Sequence, residues 1–501
     1  MRMLWRALPR PRPQWSFWAS AADFCWLPSP PSASSPIRGR CGYGTRKRSN
    51  GTSSVIFPRF LKRPPRPGSS EDRGKVLRWP RSPAAGAAAA GPNRRLQNFL
   101  RRVASGFAAG ATDLDPSLVL TATVAAAAYG YALLWVVVLC VPFLLSVFAV
   151  SARIGQETRQ GLVDLLRSHY GRAAAIGCAG VVIIINMAMI VADLMAVTAG
   201  LGILLEQRRI LFIAGAAFSV WFILIFHNYN KVTRVLVWLS LPLFAYLASA
   251  LLAAPPLKQI LVHTFVPHVA RDPGYAMTIV ALFGSLLTPY VLIWQTSSRR
   301  EQTAVTVMES HSAAHRAGTF VTTLISYSVI VAAASALNPG SVPLGAKLAS
   351  NISFRQAAMA LDPLGQLGPV LFALGIIGAG LVALPVLVAS MCYATADAMG
   401  WKSGLTENPW EAKRFYVLIS AVIFLAAAAN FFPINPVKAI YGSQVLAGIL
   451  SAPILVFILL LSNDRRIMRT TNTASQNFWA GAASGALAAA GLLLLWWKLF
   501  S

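Results

Sequence analysis

Long apolar stretches separated by short polar segments fill the chain from about residue 100 to its end. A helix that crosses a lipid bilayer needs about 20 mainly apolar residues. This pattern predicts an all-α polytopic membrane protein with a transmembrane domain over residues 96–501. It predicts eleven transmembrane helices, at 103–128, 131–151, 172–200, 210–227, 233–254, 275–298, 318–337, 367–395, 415–431, 438–461 and 477–499.

Two of these predicted spans contain a proline near the middle, Pro116 in span one and Pro289 in span six. Proline removes a backbone donor and interrupts a helix. The two prolines lie five spans apart, so repeats of five spans would place them at equivalent positions and would invert the second copy. Paired broken helices in inverted halves mark the midplane binding site of secondary transporters. We therefore expect a 5+5 inverted repeat with helices 1 and 6 broken, plus one extra helix.

Acidic side chains also interrupt the apolar pattern, at Asp113 and Asp115 in span one and at Asp193 in span three. An aspartate at the centre of a bilayer costs roughly 2.5–3.5 kcal/mol, so it persists where protein or water surrounds it. A carboxylate beside the freed carbonyls of an unwound helix forms a cation site. Asp115 is the strongest candidate ligand. Asp115 before Pro116 is also a favourable N-cap, and the two roles are compatible.

Other polar groups fall close to the predicted breaks. Thr288 offers a hydroxyl, although a packing role for a Thr-Pro pair is the alternative, and span ten offers an amide that could instead bond a neighbouring helix. The predicted cation ligands are Asp115, Gly284, Ser285, Thr288 and Gln444. The candidates for a proton or water pathway are Asp113, Asp193 and Tyr290.

Composition supports the membrane assignment and separates the N-terminal region. The chain is 56% hydrophobic and 12% charged, against about 25% charged in soluble domains. The net charge of +27 is concentrated in residues 1–102, which hold 21 Lys or Arg and three acids. Residues 1–95 are rich in Arg and Pro and are predicted to form a disordered basic leader. A start-site artefact and an organelle transit peptide are the alternatives. Because no folded nucleic-acid-binding domain accompanies the basic residues, we predict no nucleic-acid partner.

The charge of the loops predicts an orientation. With a cytoplasmic N-terminus, fifteen Lys or Arg residues fall in cytoplasmic loops and eight on the other side. Positive residues are enriched in cytoplasmic loops. The chain is therefore predicted to have its N-terminus inside and its C-terminus outside.

Enzyme classes find no support in the sequence. It contains no Gly-x-Ser-x-Gly, no His-Glu-x-x-His and no cofactor motif, so we predict neither an enzyme nor a resident cofactor. The expected partners are a divalent cation (Mn²⁺ or Mg²⁺), protons if transport is coupled, and the lipid bilayer. An amino-acid or other organic-solute carrier of the same fold and a non-transporting relative remain alternatives, and the sequence leaves the oligomeric state open.

Several motifs resemble the NRAMP family of divalent metal transporters, and in particular its bacterial NRAMP-related branch. They are "GATDLDPS", "YGYALLW", "SARIGQETRQGL", "TPYVLIWQTS", "ATADAMGWKSGL" and "NPVKAIYGSQVLAGILSAPILVFILLLSNDRRIM". The resemblance implies a leucine-transporter-type fold, alternating access, a bacterial inner-membrane location and cation binding by Asp115, which matches the aspartate of the family's Asp-Pro-Gly-Asn motif.

The sequence departs from the family pattern at both breaks. The family's Asp-Pro-Gly-Asn reads Asp115-Pro116-Ser117-Leu118 here, and its Met-Pro-His reads Thr288-Pro289-Tyr290. The asparagine, the thioether and the histidine are therefore replaced. Sulfur ligands favour transition metals, whereas carboxylate, carbonyl, hydroxyl and water suit Mg²⁺ and Mn²⁺. In this respect the chain is similar to NRAMP-related magnesium transporters.

Overall fold

The computed structural model describes residues 114–226, 238–270, 272–298, 310–337, 345 and 349–500. The predicted leader at 1–95, Asp113 and the first half of predicted span one lie outside these residues. The α-helices, numbered α1 to α15 in chain order, are Pro116–Tyr129, Leu134–Thr158, Leu162–His169, Gly171–Leu204, Ile213–Phe226, Ala245–Leu252, Leu257–Phe265, Pro273–Leu286, Pro289–Ser297, Ser310–Leu337, Phe354–Ala358, Gly368–Met399, Lys413–Ala429, Pro436–Asn463 and Ala474–Phe500.

Helix α1 forms the centre of the described part of the chain. Every residue from Pro116 to Ala128 is buried, and the helix packs against α8, α10 and α14. A helix that is apolar on all sides must be surrounded by other elements. The start of α1, where Asp115 lies, is therefore enclosed by protein.

The predicted break in span six is present. Helix α8 ends at Leu286 and α9 begins at Pro289, with Leu287 and Thr288 between them. In a continuous helix, the Ser285 carbonyl would accept from the N–H four residues later, but that residue is Pro289, which has none. The proline thus frees a carbonyl at the point where the chain changes from one half-helix to the other.

The described residues do not confirm the predicted number of eleven spans. Among the described residues, eight helices are long and apolar enough to cross a membrane, or nine if a bent pair counts as one span. The bent pair is Leu241–Leu252, in predicted span five, and Leu257–Phe265, which follows that span; the two helices meet at 116°. Pro255 and Pro256 separate them, and two consecutive prolines remove two backbone donors. Helices α1 and α13 have 14 and 17 residues, so eleven spans stay a prediction.

Polar contacts hold the ends of the helices in place. Near the end of α2, Glu157 accepts a hydrogen bond from the Arg469 backbone N–H at 2.8 Å and another from the Thr470 hydroxyl. Arg153, one turn earlier, donates to Asn472 and to Gln476. The end of α2 is thereby fixed to the loop that joins α14 to α15.

Close approach of α8 and α14 depends on glycine. A methyl group on Gly448 of α14 would overlap the carbonyl oxygen of Val280 in α8, whereas a methyl group on Gly442 of the same helix would meet no atom within 4 Å. We expect Gly448→Ala to destabilise the protein, since overpacking of a well-packed contact costs about 1–3 kcal/mol. Gly442→Ala is the matched control, and alanine should be neutral or stabilising there. Thermal unfolding in detergent measures both, and equal midpoints for the two variants would contradict the prediction.

Candidate metal site

Asp115 lies at the N-terminus of α1 and is fully buried. Its backbone is extended (φ −105°, ψ 164°), and its Oδ1 accepts a hydrogen bond of 2.7 Å from the Leu118 N–H. This is the N-cap expected from the Asp-Pro pair. An aspartate in this position lies at the positive end of the helix dipole, which stabilises its negative charge.

The second carboxylate oxygen of Asp115 links the start of α1 to the second half of broken span six. Asp115 Oδ2 accepts a hydrogen bond of 3.3 Å from the Tyr290 hydroxyl, and Tyr290 is the second residue of α9. An ionised carboxylate can accept at about four lone-pair positions. With these two bonds formed, Asp115 retains capacity to bind a cation.

Asp193 approaches the same half-helix from α4. The Ser117 hydroxyl, in the first turn of α1, donates to Asp193 Oδ1 at 2.5 Å. Asp193 Oδ2 is buried and has no hydrogen-bond partner among the described residues. Asp115 is the N-cap residue of the same helix. Two carboxyl groups therefore meet at the start of α1.

Ser117 is the residue in this contact that the sequence analysis did not assign to the site. The one available signal was its place in the sequence, a small hydroxyl residue two positions after the candidate ligand Asp115. Because its partner Asp193 is 76 residues away in the sequence, spacing alone could not connect the two.

The residues predicted from span six lie at the break itself. Thr288 precedes α9 as its N-cap residue, but its side chain makes no capping hydrogen bond. Its hydroxyl is buried and has no hydrogen-bond partner among the described residues. The Ser285 hydroxyl instead donates to the Leu282 carbonyl at 3.0 Å. Of these two side chains, Thr288 is the one whose hydroxyl stays open to a ligand.

Gln444 and Gly284 face each other across α8 and α14. A methyl group on Gly284 would overlap the Gln444 carbonyl oxygen, so this glycine permits close packing of the two helices. The Gln444 side chain is buried, and neither its amide nitrogen nor its amide oxygen has a hydrogen-bond partner within the described ranges. A buried amide without partners is unusual and calls for an explanation by function, water or an ion.

The candidate set of metal ligands consists of side chains that offer oxygen atoms. It combines carboxylate, hydroxyl and amide groups at the break between α8 and α9, the start of α1, and the facing helices α4 and α14. No group of three or more His, Cys, Asp or Glu side chains that could hold a metal occurs in the part of the chain that the structure describes. Oxygen ligands of this kind suit hard divalent cations.

Comparison with known proteins finds relatives among metal transporters. The chain is 26% identical over 304 residues to the metal transporter NRAT1 of Oryza sativa subsp. japonica, a match that covers 57% of this chain and 54% of that protein. It is 23% identical over 429 residues to the divalent metal cation transporter MntH of Bacillus subtilis, with 78% of this chain and 90% of that protein covered.

A solved structure gives the same result at the level of the fold. The manganese transporter of Eremococcus coleocola, in complex with an aromatic bis-isothiourea substituted compound, superposes with a TM-score of 0.59 at 15% identity. The superposition covers 81% of this chain and 88% of that protein. The expectation of an all-helical polytopic membrane protein with a leucine-transporter-type fold is confirmed.

A family model extends over most of the membrane domain. The model described as natural resistance-associated macrophage protein-like matches residues 106–497. This match includes Asp115, the break before Pro289 and Gln444, and it excludes the predicted leader. The chain therefore belongs to the natural resistance-associated macrophage protein-like family of divalent metal cation transporters.

Proposed function

We propose that the chain transports the hard divalent cations Mg²⁺ and Mn²⁺ across the membrane by alternating access. The cation binds between the start of α1 and the break between α8 and α9, with Asp115 as its principal ligand. The observation that carries the proposal is the fully buried carboxylate of Asp115, which accepts a hydrogen bond from Tyr290 of α9. Thr288 at the break and Gln444 on α14 add buried polar atoms without partners among the described residues. Mg²⁺ dehydrates reluctantly and keeps several waters, so few protein ligands are enough.

Asp193 supplies a second negative charge to this site. Its Oδ1 is held by Ser117 and its Oδ2 is free of hydrogen bonds from the described residues. Two carboxylates in a membrane interior repel each other, and a divalent cation compensates both charges at once. In this proposal Ser117 is a positioning residue, since it orients Asp193 rather than binding the cation itself.

The site offers few side chains that could carry a proton during transport. Tyr290 occupies the position of the family's histidine, and a tyrosine hydroxyl ordinarily titrates near pH 10. Asp193 and Asp113 are the remaining candidates for a proton route. Uptake of Mg²⁺ and Mn²⁺ into proteoliposomes, with and without a pH gradient, separates proton-coupled from uncoupled transport.

The alternative carrier of an organic solute is disfavoured by the charge at the first break. Such carriers bind a substrate carboxylate at half-helix N-termini, and here the N-terminus of α1 is occupied by the carboxylate of Asp115. Competition in the same proteoliposomes distinguishes the two functions. Excess amino acids should leave Mn²⁺ uptake unchanged, whereas Mg²⁺ should reduce it. A non-transporting relative would show no uptake of either ion.

Asp115→Asn tests the principal ligand without removing the helix cap. Asparagine caps helices about as well as aspartate, so α1 should keep its N-terminal hydrogen bond while the site loses a negative charge. We expect Mg²⁺ and Mn²⁺ uptake to fall at least tenfold in proteoliposomes, with the protein still inserted. The matched control is Asp272→Asn, because Asp272 caps α8 in the same way, away from the break. Normal uptake by Asp115→Asn would refute the proposed site.

Thr288→Met tests whether the lack of a sulfur ligand at this position sets the preference for hard cations. A thioether at this position adds a soft ligand, which favours transition metals over Mg²⁺. We expect the ratio of Cd²⁺ to Mg²⁺ uptake to rise severalfold. Thr288→Leu is the control, because it removes the same hydroxyl and adds similar bulk without sulfur. An equal change in both variants would mean that size, and not sulfur, sets the ratio.

Asp193→Asn tests the second charge. We expect Mg²⁺ binding to weaken at least tenfold in calorimetry, which corresponds to about 1.4 kcal/mol. Ser117→Ala keeps both charges and removes one hydrogen bond, so its effect should be smaller, about threefold. If Ser117→Ala weakens binding as much as Asp193→Asn, the hydrogen bond matters more than the charge. If neither variant changes the affinity, Asp193 does not belong to the site.

A further inference from the structure

An apolar groove of about 500 Å³ lies between helices α5 and α13, away from the candidate metal site. Alanines are the small residues of its lining, and large aromatic residues stand beside them. Because alanine side chains are short, they leave a depression that the aromatic rings border. The alanines are Ala214, Ala217, Ala427 and Ala428, and the rings belong to Phe218, Trp221, Phe424 and Phe431.

The aromatic side of the groove is fixed by its own contacts. The Trp221 indole N–H donates to the Ser420 hydroxyl at 2.9 Å, which ties α5 to α13. Phe218 lies against Trp221, with ring centroids 5.7 Å apart. Phe218 and Phe424 are 60% and 77% exposed. The groove is thus a preformed feature on an outer surface of helices that the sequence assigns to the membrane.

Arginines mark one end of the groove. Arg209 lies four residues before Ile213, the first lining residue, and it donates to the carbonyls of Asn430 and Phe432 at 3.2 and 3.0 Å. These bonds place the start of α5 beside the end of α13. The neighbouring Arg208 is exposed, and its guanidinium has no hydrogen bond or ion pair with any residue in the described ranges. The groove therefore has an apolar body and a cationic end.

We propose that this groove binds one acyl chain of an anionic phospholipid, whose phosphate is bound by Arg208. The lining is apolar throughout, which suits a hydrocarbon chain. Arginine matches the geometry of phosphate oxygens with several donors, and basic groups at the ends of transmembrane helices bind lipid headgroups. Arg209 is occupied by the carbonyls at the end of α13, so it shapes the end of the groove and leaves Arg208 to meet the headgroup.

The bilayer is also the most abundant source of a ligand that has both an apolar chain and an anionic headgroup. A second copy of the chain would have to insert a complementary ridge and would gain nothing from a cationic end. The exposed acid Glu206 lies two residues before Arg208. Its carboxylate repels a phosphate, so the preference for an anionic over a zwitterionic lipid depends on Arg208, whose positive charge also repels a choline group.

Native mass spectrometry of the full chain tests this proposal. The protein is released from mixed micelles that contain equal amounts of phosphatidylglycerol and phosphatidylcholine, and the retained lipid is counted. We expect one phosphatidylglycerol per chain. Arg208→Gln should reduce the retained fraction at least threefold, and Ala428→Phe, which fills the groove, should do the same.

Matched controls exclude general effects of charge and bulk. Ala421 is exposed on α13 seven residues before Ala428, and it is not among the groove residues. Lys258 is an exposed cation at the start of α7. Ala421→Phe and Lys258→Gln should therefore retain lipid as the unmodified chain does.

Three results would overturn the proposal. Equal retention of both lipids would show that no headgroup is recognised. Unchanged retention in Ala428→Phe would place the lipid elsewhere. A dimer that dissociates in Ala428→Phe, with no lipid bound, would identify the groove as an interface between two copies. None of these outcomes bears on the metal site, because each variant leaves the residues around Asp115 unaltered.

Discussion

The structure depends on keeping the carboxylate of Asp115 inside a membrane domain. Burial of a charge is expensive unless hydrogen bonds and opposite charge compensate it. Here the helix N-terminus supplies the Leu118 N–H and the positive end of a dipole, and Tyr290 supplies a hydroxyl. Proline at position 116 makes this possible, because it starts a helix at the point where an acceptor is needed. The interruption of the apolar pattern is thus the reason that the acid is tolerated.

Glycine residues allow the helices around Asp115 to pack closely. Gly284 lets α8 approach the backbone of α14 at Gln444, and a methyl group on Gly380 of α12 would lie 3.3 Å from Pro116 Cγ. Close packing of this kind is carried by small residues in membrane proteins, where association depends on van der Waals contact. A site of few ligands is therefore positioned by backbone contacts on several sides. Close packing of the helices can therefore fix the geometry of a small number of oxygen ligands.

The sequence was sufficient for features that depend on local chemistry. Pro289 gave the position of the break in span six, and Pro116 gave the start of α1, because a missing N–H acts on the helix that contains it. Asp115 and Gln444 could be proposed as ligands from the sequence because polar groups are rare in apolar stretches. The bend between Leu241–Leu252 and Leu257–Phe265 was not predicted, because predicted span five ended at residue 254, before Pro255 and Pro256. The Ser117–Asp193 bond was beyond reach, because it joins helices whose relative placement no single segment determines.

The bond between Tyr290 and Asp115 connects the two predicted repeats at the place where the proposed cation binds. Tyr290 belongs to α9 and Asp115 precedes α1, so this hydrogen bond joins the second half of broken span six to the start of α1. A cation that coordinates Asp115 Oδ2 competes with the tyrosine hydroxyl for the same oxygen. In the proposed function, occupancy therefore changes a contact between the repeats themselves. Alternating access requires that the cation bind the two arrangements of the repeats differently, and a shared carboxylate oxygen is a direct way to couple binding to their relative position.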